Sequence, residues 1–427
     1  MIELSRWEHA FNIELEVPGD KSLTHRGILM SVLAMGDMEL TGWLDAGDTR
    51  SSLRLVQALG VEIREETARR LVLRRGPAVH ESQDVIDCGN SGTTMRLAAG
   101  LLAGLPGLSV LTGDASLRRR PMARVAGPLR EGLGVRIWTK SDGRAPIAVL
   151  GGGHHGGRVA LQVASAQVKS ALLLAGVTAE EAVSVVEPQA TRDHTERLIA
   201  AMGGSVAVQG RTITVMPSDL RGLSFHVPGD PSSAAFWFAL AALQTGRRVA
   251  VKSLLFNPTR VGFLRVLEAM ECRVEWSETG RVPEPYGAVA VSGIPRRPVA
   301  VSAEEVPSMV DEVPLVALLA TQAPGRSVIS GAEELRVKES DRIHVTATIL
   351  EAMGAQIEER SDGWVIEGPT PLKGADVDVA GDHRMAMLTA IAATIAEGPT
   401  RIRGEESVAI SYPAFFEGYQ RIARIRP

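Results

Sequence analysis

Val17-Pro18-Gly19-Asp20-Lys21-Ser22 recurs about half a chain later as Val227-Pro228-Gly229-Asp230-Pro231-Ser232. Each copy follows a short strand-like stretch and precedes a helix-like run. Residues 13–17 alternate between apolar and acidic side chains, which is typical of a half-buried strand. We predict that Ser22 and Ser232 cap the helices that follow. The repeated turn predicts two halves built to one design.

A shorter pattern recurs within the halves, in which a helical run ends in Leu or Met, then Gly, then a β-type alternation. Its copies are Leu59-Gly60-Val61, Leu133-Gly134-Val135, Met202-Gly203-Gly204 and Met353-Gly354-Ala355, with Met270-Glu271-Cys272 as a fifth that lacks the glycine. Glycine suits the left-handed position that ends a helix. Copies spaced by roughly 70 to 80 residues indicate an internally repeated α/β unit. A sixth copy is not recognisable.

The length of 427 residues exceeds what one compact core normally holds, so two domains of roughly 200 residues are expected. The strand before each repeated turn and the helix after it straddle a crossing between the domains. We therefore predict one domain at 19–228 and a second that combines 1–18 with 229–427.

The composition excludes several classes of function. Aromatic residues make up only 4% and the net charge is −4, so a nucleic-acid surface is not expected. The only cysteines, Cys88 and Cys272, predict a reduced compartment without disulfides. CxxC, HExxH, Walker A and strand-linked GxGxxG patterns are absent, so we expect neither a metal nor a nucleotide cofactor. Residues 1–9 lack an apolar signal core and the apolar stretch 98–111 is interrupted, which predicts a soluble cytoplasmic protein.

Five predicted helices begin at turns of small and polar residues. The free N–H groups and the dipole of a helix start favour anions. Most of these turns carry basic or amide side chains, although the chain as a whole is slightly acidic. The sequence therefore predicts a local basic cleft between the two halves, lined by these starts: Gly19–Ser22, Gly89–Thr94, Ser165–Gln167, Gly229–Ser232 and Gly381–Arg384.

Several basic residues in or near these turns are candidates for anion binding, because arginine pairs bidentately with carboxylate and phosphate. They are Lys21, Arg26, Arg120, Lys338, Arg342 and Arg384, whereas Arg118 and Arg119 are read as a solvated face. Lys338 and Arg342 are four residues apart, which predicts one helical face. Asp311 precedes an apolar helix, where it is either a cap or, near cations, a proton acceptor.

Together these motifs resemble the EPSP synthases (3-phosphoshikimate 1-carboxyvinyltransferases) of the enolpyruvyl transferase family. The resemblance runs from Ile13 to Tyr412 and implies an α/β (α+β) fold. Its two similar domains of repeated βαβαββ units form an inside-out α/β barrel with helix N-termini facing the interdomain cleft. The motifs that carry it are Pro18–Ser22 with Arg26, Gly89–Arg96, Arg120-Pro121, Ser165–Gln167, Asp311, Arg336–Arg342 and Gly381–Met387.

The resemblance implies transfer of the enolpyruvyl group of phosphoenolpyruvate to the 5-hydroxyl of shikimate 3-phosphate, through a tetrahedral intermediate and with release of phosphate. This is a step of the shikimate pathway, towards chorismate and the aromatic amino acids. It implies domain 19–228 on the shikimate 3-phosphate side, no metal or cofactor, and these two small molecules as the only partners of a monomer that binds neither nucleic acid nor membrane.

Site residues follow from the same resemblance, position by position. Asp311 would accept the hydroxyl proton, and Lys21 and Glu339 are candidates for proton delivery to the methylene carbon. The residues implied to hold shikimate 3-phosphate are Lys21, Ser22, Arg26, Ser165, Ala166, Gln167, Thr191, Asp311 and Lys338. Those implied to hold phosphoenolpyruvate are Lys21, Asn90, Gly92, Arg120, Gln167, Arg342 and Arg384.

Four positions depart from the best-known members of the family. Ala166 replaces a serine, and Thr191 stands near another expected serine. Glu334 and Ile410 occupy places where some members have asparagine and lysine. Without the lysine at 410, phosphoenolpyruvate binding has one cation fewer.

Two alternative functions remain. UDP-N-acetylglucosamine enolpyruvyl transferases usually carry a cysteine in the loop before their Arg-Pro pair, whereas Ala115 stands there in loop 113–121. A non-catalytic anion-binding protein is the second alternative. Against it stand the intact Lys21, Asp311 and Glu339.

Overall fold

The computed structural model describes residues 1–77 and 79–425, which fold into two compact units. The first unit comprises Gly19–Val227 with the short segment Val282–Glu284. The second comprises Met1–Pro18, Pro228–Arg281 and the chain from Pro285 onward. The chain passes from one unit to the other between residues 18 and 19 and again between residues 227 and 228, and both crossings lie within the repeated Val-Pro-Gly-Asp turns.

The helices are distributed over the whole chain. They are α1 (Lys21–Met30), α2 (Gly47–Ala58), α3 (Gly92–Ala103), α4 (Ala123–Leu133), α5 (Ala166–Val177), α6 (His194–Ala201), α7 (Pro231–Ala242), α8 (Gly262–Ala269), α9 (Val313–Ala320), α10 (Arg342–Ala352), α11 (His383–Ala393) and α12 (Phe415–Ala423). Short 3-10 helices cover Leu117–Arg119, Val306–Ser308, Glu333–Val337 and Glu405–Ile410.

The strands are short and alternate with the helices. They are β1 (Ile2–Leu4), β2 (Phe11–Leu15), β3 (Ala34–Met35), β4 (Asp37–Thr41), β5 (Val61–Glu66), β6 (Arg70–Arg75), β7 (Ile86–Asp87), β8 (Gly107–Thr112), β9 (Arg136–Trp138), β10 (Ile147–Gly151), β11 (Gly157–Ala160), β12 (Val183–Val186), β13 (Val206–Gln209), β14 (Thr212–Val215), β15 (Leu220–Arg221), β16 (Ser224–His226), β17 (Arg247–Leu255), β18 (Arg273–Gly280), β19 (Tyr286–Ser292), β20 (Ala300–Val301), β21 (Gly325–Ile329), β22 (Gln356–Arg360), β23 (Gly363–Gly368), β24 (Asp376–Asp378) and β25 (Thr400–Arg403).

Five four-stranded sheets share one pairing pattern, a parallel pair followed by two antiparallel pairs. The first unit contains β16-β4-β6-β5, β7-β8-β10-β9 and β11-β12-β14-β13, and the second contains β2-β17-β19-β18 and β20-β21-β23-β22. A sixth sheet, β24-β25-β1, has only three strands. It takes its last strand from the N-terminus, so no helix-Gly-strand signature marks it in the sequence.

The repeated turns connect the two units. Strand β2 pairs with β17 of the second unit, yet the turn after it begins α1 of the first unit. Conversely, β16 pairs with β4 of the first unit, and the turn after it begins α7 of the second. Each turn therefore follows a strand of one unit and opens a helix of the other.

In both units helices form the interior and sheets the exterior. Every residue of α7 is buried, and α5 is buried from Val168 to Val177, which is typical of helices enclosed on all sides. Helix α3 packs on α1 and α5, as α7 does on α9 and α11. Strand β4, by contrast, alternates buried Met38 and Leu40 with more exposed residues. The mixed α/β, inside-out fold predicted from the resemblance is confirmed.

The caps of α1 and α7 differ from the prediction. Asp20 and Asp230, not Ser22 and Ser232, are the N-caps, and their carboxylates accept hydrogen bonds from Leu23 N at 2.8 Å and Ser232 N at 2.9 Å. The helices begin earlier than predicted, at Lys21 and Pro231. Proline is favoured at a first helical position because it has no N–H to satisfy.

The predicted left-handed helix ends are confirmed. The backbone φ is +94° at Gly60, +67° at Gly134, +88° at Gly203 and +89° at Gly354. In the fifth copy, Glu271 adopts φ +64° without the freedom of glycine. The repeat thus imposes the same turn geometry whether or not glycine is present.

Both cysteines are buried free thiols, and burial raises the pKa of each to about 12. Among the described residues, no helix combines the length and the apolar character needed to cross a membrane.

Candidate active site

The first unit brings five residues together at the start of α3. We call Asn90, Gly92, Arg96, Arg120 and Gln167 the Gly92 cluster. Arg96 Nη1 donates to Gln167 Oε1 at 2.5 Å, and Gln167 Nε2 donates to Thr93 Oγ1 at 2.9 Å. The two contacts determine which end of the Gln167 side-chain amide is the oxygen and which is the nitrogen.

Gly92 leaves room for two guanidiniums. A Cβ at this position would lie 3.1 Å from Arg96 Nη1 and 3.2 Å from Arg120 Nη1. Arg120 Nη2 also donates to Asn90 Oδ1 at 3.0 Å, and Asn90 Nδ2 donates to Asp114 Oδ2 at 2.7 Å. The absent side chain therefore lets two cations approach the positive end of α3, an arrangement suited to an anion.

Lys21 is the first residue of α1. Its ammonium donates to Asp48 Oδ2 of α2 at 3.0 Å, and the side chain is 18% exposed. Lys21 thus combines a held ammonium group with partial access to solvent.

Arg26 lies five residues further along α1 and is 2% exposed. Its Nε donates to Thr195 Oγ1 at 2.7 Å, Nη1 to the Ser22 carbonyl at 2.9 Å and Nη2 to Ser170 Oγ at 2.7 Å. Burial lowers the pKa of Arg26 to about 10. All three guanidinium nitrogens are held, and we call Arg26, Ser170 and Thr195 the Arg26 cluster.

The remaining predicted residues of the first unit belong to α5 and the loop before α6. Ser165 caps α5 and accepts a hydrogen bond from Val168 N at 3.4 Å, and Ala166 is the first residue of that helix. The buried Thr191 hydroxyl donates to Glu187, so this proton is already committed. Thr191 can therefore donate its hydroxyl to a phosphate only after it leaves Glu187.

The second unit gathers Asp311, Lys338, Glu339, Arg342 and Arg384, which we call the Asp311 cluster. Arg342 is 1% exposed and contacts three carboxylates: Asp311 at 3.3 Å, Glu339 at 2.6 Å and Asp382 at 2.8 Å. Arg384 Nη2 lies 3.7 Å from Asp311 Oδ2. Asp311 therefore faces two cations. It does not cap α9, because Glu312 occupies that position.

The prediction that Lys338 and Arg342 share one helical face is wrong. The 3-10 helix Glu333–Val337 ends before Lys338, and α10 begins at Arg342. Lys338 nevertheless lies beside the cluster, with Nζ 3.3 Å from Glu334 Oε1. Burial lowers the pKa of Lys338 from its usual value, although the nearby carboxylates of Glu334 and Asp311 oppose this shift.

Glu334 and Ile410, which depart from the family pattern, both lie near this cluster. Glu334 adds a carboxylate to Lys338. Ile410 ends the 3-10 helix Glu405–Ile410, which packs on α11, the helix whose second residue is Arg384.

The part of the chain that the structure describes contains one group with metal-ligand spacing, formed by Asp193, His194 and Glu284 in the first unit. Arg197 Nε contacts Asp193 at 2.9 Å and Glu284 at 3.6 Å, and His194 Nδ1 lies 2.7 Å from Glu284 Oε1. Arg197 thus pairs with both carboxylates, and His194 contacts one of them.

Sequence reasoning missed several partners in these clusters. Arg96 could have been found, because it lies one helical turn after Gly92. Arg192 is close enough to Arg26 to lower its pKa, and it follows Thr191 directly. Asp48 and Asp382, which hold Lys21 and Arg342, are 27 and 40 residues away from them in the chain, so only the fold reveals them.

Comparison with known proteins gives one consistent result. A family model described as EPSP synthase (3-phosphoshikimate 1-carboxyvinyltransferase) matches residues 8–418. A 3-phosphoshikimate 1-carboxyvinyltransferase of Herpetosiphon aurantiacus is 45% identical over 415 residues, 96% of each chain, and one of Anaeromyxobacter sp. is 47% identical over 405 residues, 94% of each chain. The solved EPSP synthase of Acinetobacter baumannii superposes with a TM-score of 0.87 at 37% identity, covering 98% of this chain and 97% of that one.

Proposed function

Because this chain belongs to the EPSP synthase family, we propose that it transfers the enolpyruvyl group of phosphoenolpyruvate to the 5-hydroxyl of shikimate 3-phosphate, releasing phosphate. The two substrates carry four anionic groups between them. The Gly92, Arg26 and Asp311 clusters supply arginine and lysine side chains, and Arg342 and Arg384 among them lie at helix starts; such groups match carboxylates and phosphates.

In the first unit, the Gly92 cluster would hold phosphoenolpyruvate together with Lys21. Arg26, with Ser22, Ser165, Ala166 and Thr191, would hold shikimate 3-phosphate, and Gln167 would contact both substrates. In the second unit, Arg342 and Arg384 would bind phosphoenolpyruvate, and Lys338 would bind shikimate 3-phosphate. The support for these roles is that Lys21, Ser22, Ala166, Gln167, Arg342 and Arg384 lie in the first turns of helices, while Arg26, Arg120 and Lys338 add cations that are buried or half-buried.

One observation carries the proposed mechanism: the Asp311 carboxylate is 18% exposed and lies between Arg342 and Arg384. A carboxylate held by two arginines is a weak base. When the anionic groups of phosphoenolpyruvate take over these arginines, Asp311 is released to accept the proton of the 5-hydroxyl. The hydroxyl oxygen then bonds to C2 of phosphoenolpyruvate while a proton adds to C3, and loss of phosphate with removal of a C3 proton completes the transfer.

Lys21 is the better candidate than Glu339 for delivering the C3 proton. Its ammonium carries protons and is partly exposed. Glu339 accepts a hydrogen bond from Arg342 at 2.6 Å, so its carboxylate is already engaged by that guanidinium. We assign Glu339 the role of holding Arg342.

The test of this function is phosphate release with both substrates, compared between the wild type and Asp311→Ala. We expect turnover to fall by about 10²–10⁴ in the variant, the range for loss of a general base, while the affinity for shikimate 3-phosphate changes far less. Glu351→Ala, which removes an exposed carboxylate of α10, is the control and should behave as wild type. Unchanged turnover in Asp311→Ala would remove the proposed base.

Replacing shikimate 3-phosphate by UDP-N-acetylglucosamine in the same assay tests the alternative acceptor. We expect no phosphate release with it, because the loop 113–121 contains no thiol and Cys88 is buried outside it. Tight anion binding without phosphate release from either acceptor would instead support a binding protein. The cytoplasmic location and the monomeric state stay predictions. Light scattering would measure whether the protein is a monomer.

A further inference from the structure

We propose that Thr195 and Ser170 are positioning residues that fix the guanidinium of Arg26 and leave its positive charge for the phosphate of shikimate 3-phosphate. The inference rests on the proposed function, since it assumes that Arg26 binds this substrate. It adds two residues, from α5 and α6, to which the family resemblance assigned no role.

The geometry of the guanidinium is the first support. Because the group is planar, contacts through Nε and Nη2 define its orientation as well as its position. Thr195 Oγ1 receives the first and Ser170 Oγ the second, each at 2.7 Å. The two hydroxyls are also bonded to each other, with Thr195 donating to Ser170 at 2.7 Å. They therefore act as one joined acceptor.

The chemistry of the acceptors is the second support. The three groups that accept hydrogen bonds from Arg26 are two hydroxyls and a carbonyl, all neutral. Within the described residues, no carboxylate forms an ion pair with Arg26, whereas Arg342 forms three. Glu196, Asp20 and Glu284 act on Arg26 only through space and do not pair with it. Because the direct acceptors are neutral, an incoming phosphate has no carboxylate to displace from the guanidinium.

The rigidity of the support is the third observation. Immediately beside Ser170 and Thr195, Lys169 of α5 forms a buried ion pair with Glu196 of α6 at 2.7 Å. Consecutive residues on each helix thus make two parallel links between α5 and α6. The spacing of the hydroxyls is set by an ion pair that is 1% and 6% exposed at its two ends, away from solvent motion.

The decisive variant is Thr195→Val, which keeps the shape and removes the acceptor. Its expected effect is a rise of about tenfold in the dissociation constant and KM for shikimate 3-phosphate, with kcat and the KM for phosphoenolpyruvate changed by less than about threefold. Thr195→Ser restores the hydroxyl and should restore the wild-type constants. Isothermal titration with shikimate 3-phosphate and steady-state assays with each substrate varied in turn measure these quantities.

The control is Thr389→Val, which removes a buried hydroxyl that only donates to the Met385 carbonyl in α11. We expect it to lower thermal stability without raising the KM for shikimate 3-phosphate. If Thr195→Val behaves like this control, or if Thr195→Ser is as impaired as Thr195→Val, the proposal is wrong. Should Thr195→Val fail to fold, Ser170→Ala is judged by the same criteria. A wild type that does not release phosphate would refute the proposed function instead, before any variant is compared.

Discussion

At the scale of single residues, the buried arginines of the two units differ in what compensates them. Arg26 is held by neutral oxygens, whereas Arg342 is surrounded by Asp311, Glu339 and Asp382. An anion that binds Arg342 must therefore displace or share an existing carboxylate. In the mechanism we propose, this exchange weakens anion binding but releases Asp311 only when substrate is present.

Gly92→Ala should weaken phosphoenolpyruvate binding. The new Cβ would lie within 3.2 Å of both Arg96 and Arg120, closer than ordinary contact, so both guanidiniums must move by a few tenths of an ångström. We expect the KM for phosphoenolpyruvate to rise about tenfold, because displaced binding groups cost heavily in a preorganised site. Inhibition by glyphosate, which the family resemblance places in the same site, should weaken as well.

The matched control for this variant is Gly127→Ala in α4, where the new Cβ meets nothing closer than Glu131 Oε1 at 3.7 Å. In steady-state kinetics with phosphoenolpyruvate varied, the KM of Gly127→Ala for this substrate should equal that of the wild type. Equal constants in the wild type and in Gly92→Ala would contradict the placement of phosphoenolpyruvate at α3.

The lowered pKa of Lys338 predicts a pH dependence. Anion binding needs the charged ammonium, and this form is lost as the pH rises through a pKa below the usual 10.5. We therefore expect the KM for shikimate 3-phosphate to rise on the alkaline side, below pH 10.5. In Lys338→Arg the alkaline rise should become smaller, because the new arginine keeps its charge there and only Arg26, whose pKa burial lowers to about 10, still loses charge. A pH profile of KM that is the same in both proteins would show that Lys338 does not carry it.

At the scale of elements, the most informative feature is the left-handed residue that ends α2, α4, α6, α8 and α10. The glycines at four of these ends predicted where the helices stop, and the structure confirms each one. The sequence was less reliable at helix starts. Asp20 and Ser22 are both residue types that cap helices well, and which of them is the N-cap depends on where the helix begins. Because α1 begins at Lys21, Asp20 is the cap. The sequence did not reveal that the chain is not helical from Lys338 to Asp341, because basic residues four positions apart are also the spacing of one helical face.

Glu271→Gly should stabilise the protein. The left-handed region costs a residue other than glycine about 1–2 kcal/mol of steric strain. Glycine avoids this strain but loses about 0.5–1 kcal/mol more than another residue through the backbone entropy lost on folding. We expect the free energy of unfolding of the second unit to rise by roughly 0.5–1 kcal/mol. The ion pair of Glu271 with Arg297 is largely exposed, so its loss matters little.

Chemical denaturation of Glu271→Gly beside Arg265→Gly separates this effect from a general one. Arg265 is an exposed residue within α8, where glycine should destabilise by about 1 kcal/mol. A lower midpoint in both variants would mean that the left-handed geometry at Glu271 carries no strain.

At the scale of the whole molecule, the repeated unit was readable from the sequence, but the contacts that build the clusters were not. The helix-Gly-strand signature predicted an α/β repeat, and its five copies correspond to five four-stranded sheets. Contacts such as Arg26 with Thr195 join residues 169 positions apart. No local pattern indicates which buried hydroxyl will face which guanidinium, because that depends on how α1, α5 and α6 pack.

Substrate binding should stabilise the folded chain. A ligand that binds only the folded state at 100 times its dissociation constant adds about 2.7 kcal/mol. We expect shikimate 3-phosphate to raise the midpoint of thermal unfolding by several degrees. Shikimate, which lacks the phosphate, should raise it much less at equal concentration. Equal shifts with both compounds would show that the phosphate is not what the Arg26 cluster recognises.

The pairing of β1 with β25 determines the order in which parts of this chain can fold while the ribosome synthesises it. Ile2 pairs with Ile402, so β1 has no partner until about 400 further residues have been made. At about 5–20 residues per second, it waits for tens of seconds. The first unit, by contrast, has all its strands once β16 at 224–226 has emerged. Its core can form during synthesis. In the second unit, β2 can pair once β17 has emerged, while β1 must stay unpaired and available until the last sheet can close.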